Sequence, residues 1–90
     1  MTDAELLVLL KANLSIARTT WDSFLLHLIS VSKKEIEREG ITLEDTPADN
    51  YLIVMYASYL YRKRNEDIAA MPRMLRYELN QRVFSEKMKV

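Results

Sequence analysis

The sequence predicts an all-α fold, a small bundle of about four helices in a single domain over residues 1–90, and three observations predict it. The 90 residues hold one glycine, Gly40, and two prolines, Pro47 and Pro72, so little interrupts a helix. Apolar side chains recur at helical spacing in four separate segments. Residues that cap or break helices punctuate those segments.

The first helix runs from about Asp3 to Asn13. Thr2 caps it, and Glu5 completes a capping box that satisfies otherwise orphaned N–H groups. Leu6, Leu7, Leu10 and Leu14 are its apolar stripe, and the segment from Ser15 to Thr20 breaks the pattern. Thr19 and Asp22 read as a second capping box, opening the longest helix. Its stripe is Trp21, Phe24, Leu28 and Val31, widened by Leu25, Ile29 and Ile36, with Asp22, His27, Lys33, Lys34, Glu37 and Arg38 outside. Gly40 ends it, since glycine adopts a left-handed turn at little cost, and Ile41 is expected to touch Ile36 as in a Schellman stop.

The third helix opens with Thr46 as cap, Pro47 at the first helical position and Asp49 near the positive helix end. From Tyr51 to Tyr61 it is apolar nearly all the way round. Such a helix is expected both to centre the core and to be covered in part by another chain. Arg62, Lys63 and Arg64 suit its negative C-terminal end. Residues 65–71 read as a loop. Pro72 then restarts the chain as a fourth helix, with Met71, Leu75, Leu79 and Val83 in one stripe and Met74 and Phe84 beside it. Arg73, Arg76, Glu78, Arg82 and Glu86 are assigned to the wet side, and Ser85 to Val90 to a tail that frays or waits for a partner.

Composition bounds the function. Zero cysteines removes disulfides and thiolate zinc sites together. No apolar run approaches the roughly 18 residues a membrane span needs. The acidic opening Met1-Thr2-Asp3-Ala4-Glu5 is unlike a signal peptide, so an intracellular protein is expected. An apolar fraction of 49% is generous for a chain of this size and points to self-association. Net charge is zero but divided. Residues 1–61 carry 5 Lys/Arg and 9 Asp/Glu, net −4; residues 62–90 carry 8 and 4, net +4. Opposed ends suit head-to-tail contact between copies, although two solvated ends give the same pattern.

Catalytic chemistry finds no foothold. His27 is the single histidine, and no carboxylate pair stands at ligand spacing around it. Ser15, Ser23, Ser30, Ser32, Ser58 and Ser85 have only His27 to share as a base. One glycine cannot build a phosphate-cradling loop. Glu35, Glu37, Glu39, Glu44 and Asp45 read as solvated rather than as an ion site. No enzyme, cofactor or metal is expected. Arg62, Lys63 and Arg64 beside Tyr59 and Tyr61 could meet phosphates and stack on bases, but their place at a helix end accounts for the charges without a ligand. The tyrosine, methionine and arginine content fits a protein interface better.

The leucine-rich Leu6–Leu14, the helix of Asp22, Leu25, Leu28-Ile29 and Ile36, and the stop at Gly40-Ile41 resemble the front half of phage connector proteins. Asp49 to Asn65, with Ala57-Ser58-Tyr59-Leu60-Tyr61-Arg62-Lys63-Arg64-Asn65, and then Met71-Pro72-Arg73-Met74-Leu75-Arg76-Tyr77 and Leu79-Asn80-Gln81-Arg82 resemble their back half. The family is that of the head–tail connector, also called head completion or adaptor, proteins of long-tailed phages and prophages. Two departures are visible: a short first loop without the acidic cluster of relatives, and a compact stretch at 66–70.

The resemblance implies a virion assembly protein made in the host bacterial cytoplasm and placed at the head–tail interface. It implies a ring subunit that docks under the portal, extends the DNA channel and meets other head–tail joining or tail proteins. DNA is met there by proximity only, and no membrane is involved. The expected subunit or portal interface is Tyr59, Tyr61, Arg62, Arg64, Arg73, Arg76, Tyr77, Arg82, Phe84 and Met88. The tail from Phe84 onward is expected to order only on docking. The alternatives are a small helical DNA-binding or regulatory protein, and a generic helical oligomer or toxin partner.

Overall fold

The computed structural model describes residues 1–65 and 70–88. Its four helices are α1 (Asp3–Leu14), α2 (Asp22–Arg38), α3 (Pro47–Asn65) and α4 (Arg73–Lys87). Among the described residues every regular element is a helix, so the protein is a small all-α bundle.

Local chemistry sets the ends. The Thr2 hydroxyl accepts from the Glu5 N–H at 3.2 Å while the Glu5 carboxylate accepts from the Thr2 N–H at 3.0 Å, which is the expected capping box. Thr46 accepts from the Asp49 N–H at 3.1 Å and Pro47 follows at the first helical position. Gly40 stands at φ 101° just past α2, its N–H bonded to the Glu37 carbonyl, and Ile41 is buried in the same core as Ile36. The second capping box does not form. Trp21 is the N-cap of α2 and provides no side-chain bond, and the Asp22 carboxylate accepts instead from Lys11 of α1 at 2.8 Å.

α3 is the central helix and packs against each of the other three, while α1 also packs on α2. Lys11 to Asp22 and Lys33 to Asp3 tie α1 antiparallel to α2. The Ser58 hydroxyl donates to the Asn13 carboxamide at 2.7 Å, which ties α1 to α3. The core is Leu6, Leu10, Leu25, Leu28, Ile29, Ile36, Ile41, Leu52, Ile53, Val54, Tyr56, Ala57, Leu75 and Leu79.

The stripe expected on α2 is rotated. In α2 the buried row is Leu25, Leu28, Ile29, Ser32 and Ile36, and Trp21 is exposed. Ser32 can sit there because its hydroxyl donates to the Leu28 carbonyl at 2.7 Å, so no polar atom is stranded. In α3 the chain itself covers most of the apolar surface. Tyr51 is exposed, Met55, Tyr59, Leu60 and Tyr61 are half-buried, and the residues between are mostly buried. The surplus apolar surface lies elsewhere.

Candidate interaction surface

Much of that surplus lies on α4, with Val8, Leu9 and Trp21 exposed elsewhere. Leu75 and Leu79 are buried and Met71 and Val83 pack beside them, as the spacing predicts. Met74 and Phe84 do not join that stripe. They stand on the far side of the helix with Tyr77 and Met88, and the four are exposed at 69, 62, 58 and 70% respectively. At about 100° per residue, positions 74, 77, 81, 84 and 88 fall in one narrow strip opposite Leu79. The wet side assigned to α4 is therefore apolar along its middle, and the helix is two-faced.

The charges on α4 depart from expectation too. Arg82 points inward and pairs with Asp49, a carboxylate almost wholly buried at the start of α3. Asp49 also accepts from the Glu44 N–H at 2.6 Å. Burial would push the Asp49 carboxyl up, but the Glu44 N–H, Arg82 and Thr46 outweigh it and hold the group below the usual carboxylate range. Glu86 is half-buried and accepts from the Thr42 N–H at 3.0 Å. Arg76 reaches Glu39 at 3.2 Å. These contacts fasten α4 to α3 and to the α2–α3 connection. Arg82, expected at an intermolecular interface, is half-buried and paired within the chain.

The other expected interface residues divide. Tyr77, Phe84 and Met88 share one exposed face of α4, with Arg73 beside them and without an ion pair among the described residues. Tyr59 and Tyr61 are half-buried and pack against the core. Arg64 lies 5.0 Å over the Phe24 ring and Lys63 5.9 Å over Tyr59. Arg62 is exposed and lines a groove with Tyr51, Met55, Tyr59 and Pro72. The α3 cations thus fan around a helix end and form no straight row for a phosphate backbone.

The helix of α4 continues through Lys87, so Ser85 to Lys87 of the tail expected to fray are helical, and residues 89–90 lie outside the described residues. His27 is exposed, and among the described residues no group of three His, Cys, Asp or Glu side chains could hold a metal ion. No described helix is long and apolar enough to cross a membrane. Sequence reasoning overlooked Met74 and Gln81 as surface residues. The signal that finds them is a second apolar period at 74, 77, 84 and 88, running beside the one at 71, 75, 79 and 83. No protein-family model, no curated protein and no solved structure matches the chain.

Proposed function

We propose that the protein is a structural assembly subunit that acts through surface contact, docking as a ring subunit under a phage portal to extend the DNA channel and join head to tail. One observation carries the contact part of this reading, the strip of exposed Met74, Tyr77, Phe84 and Met88, with Gln81 at its middle, facing away from the core. A lone exposed apolar side chain is ordinary, but four in line on a helix whose other face is already packed mark a surface meant to be covered. The portal part rests on the connector resemblance of Asp49–Asn65 and Met71–Arg82. Portal, neighbouring copies and tail-side proteins are the partners, with DNA met as channel contents.

The regulatory reading fits the surface less well. A recognition helix offers a polar, basic face to the major groove, whereas four of the five residues along the outward strip of α4 are Met, Tyr or Phe. The test is to mix the purified protein with the portal protein of the phage or prophage that encodes it and examine the mixture by co-sedimentation and electron microscopy. A ring stacked coaxially on the portal is expected. No binding to portal or emptied heads, together with salt-sensitive gel shifts on DNA, would favour the regulator.

A further inference from the structure

We infer that the outward face of α4 is a short coiled-coil seam whose occupant is the same seam of a second copy of this chain, lying parallel to it. The inference goes beyond the portal reading and needs no portal.

Numbered as heptads, Met74, Gln81 and Met88 take the a positions and Tyr77 and Phe84 the d positions of a two-stranded seam. Leu79 and Glu86 then fall at f, the side turned away from the partner, where the structure has Leu79 fully buried against α3. One helix can serve both contacts without rearrangement. Four of the five seam residues are apolar and largely exposed in the single chain.

Charge chooses the occupant and its direction. The flanking g positions are Arg73, Asn80 and Lys87, and the e positions are Glu78 and Ser85. In a parallel pair each g faces the e of the following heptad across the seam. Arg73 then meets Glu78 of the second copy, twice by symmetry, and Asn80 meets Ser85. In an antiparallel pair g faces g and e faces e, which sets Arg73 against Lys87 and Glu78 against its own counterpart. Parallel pairing matches Arg73 with Glu78 and leaves Lys87 opposite no like charge; antiparallel pairing sets like charges against each other at both places.

Two further features agree. Arg73 opens α4, whose first turn holds no acidic residue, and a cation is poorly placed at the positive end of a helix. The partner's Glu78 supplies the missing anion. Gln81, the one polar residue on the seam, sits at its centre, where a polar a position fixes register at some expense in affinity. The seam spans only about two heptads, so it buries less than the roughly 1,200 Å² of a standard interface, and the pair is weak and reversible.

The test is sedimentation equilibrium of the intact chain from about 10 μM to about 1 mM, a range suited to a weak complex. The apparent mass should rise from 10.6 kDa towards twice that value. Arg73→Glu and Glu78→Arg should each weaken association about tenfold, and the double exchange should restore it, with circular dichroism confirming unchanged helicity throughout. Met74→Cys should form a disulfide dimer under mild oxidation, a clean readout because the chain has no cysteine of its own. A mass fixed at the monomer value, a double exchange as weak as the singles, or a Met74→Cys chain that does not cross-link would each overturn the inference. A pair that ignores the portal would leave the seam standing and remove the connector reading. A monomer that rings the portal would do the reverse.

Discussion

A carboxylate as buried as Asp49, 1% exposed, persists only where its charge is matched. Arg82, the Glu44 N–H and Thr46 supply the match, and they bring the start of α3, the α2–α3 connection and α4 to one point. Arg82→Met should therefore lower stability by about 2–3 kcal/mol in urea denaturation, because it leaves a buried charge short of a partner. Adding Asp49→Asn should recover part of the loss, and a single variant with an unchanged midpoint would mean that the pair is idle. The same site predicts the acid limb. Asp49 has a depressed carboxyl pKa when folded, so its contribution is present above the ordinary value of about 3.9 and is lost as pH falls through the lower folded value. Acid unfolding should begin below about pH 4, and Asp49→Asn should flatten it. None of this was legible in sequence, where Asp49 read as a helix-end charge and Arg82 as a solvated one. Nothing local announces a partner 33 residues away.

The elements were legible where a local signal acted alone. The box of Thr2 and Glu5, the Thr46-Pro47 start and the Gly40 stop all depend on residues within one turn, and each formed as expected. The start of α2 did not: the helix opens at Asp22 with Trp21 as N-cap, so Thr19 lies outside the cap position, and the Asp22 carboxylate pairs with Lys11 of α1. Thermal denaturation should separate the two cases. Thr2→Ala should cost about 1 kcal/mol, whereas Thr19→Ala should change stability by no more than about 0.5 kcal/mol. Gly40→Ala should cost about 1–2 kcal/mol through its left-handed backbone alone, since a Cβ built there meets no neighbour. Loss of packing elsewhere in that variant would contradict the assignment. The faces of α2 and α4 were harder to read than their spans. A hydrophobic period finds a stripe, yet on α2 a buried serine shifts the true one and on α4 a second, outward stripe escapes it.

Across the whole molecule the helix count and order were readable from punctuation, and the all-α bundle followed from them. The division of labour was not. α3, expected both to centre the core and to be covered in part by another chain, centres the core and is mostly covered by its own, and a second exposed apolar strip lies on α4. Among the described helices α4 packs closely against α3 alone. Its backbone amides should thus exchange with deuterium ahead of those at the centre of α3, and equal protection would show that the bundle opens as one unit. The two-faced character of α4 also bears on symmetry. In a ring with all subunits facing one way, neighbours are related by rotation about the ring axis, whereas a parallel helix pair is related by a two-fold along the helices. The two relations cannot share one strip between equivalent neighbours. Chains paired through α4 would have to part before any ring could close, so the strip that joins two free copies would hold assembly back until a stronger partner claims it.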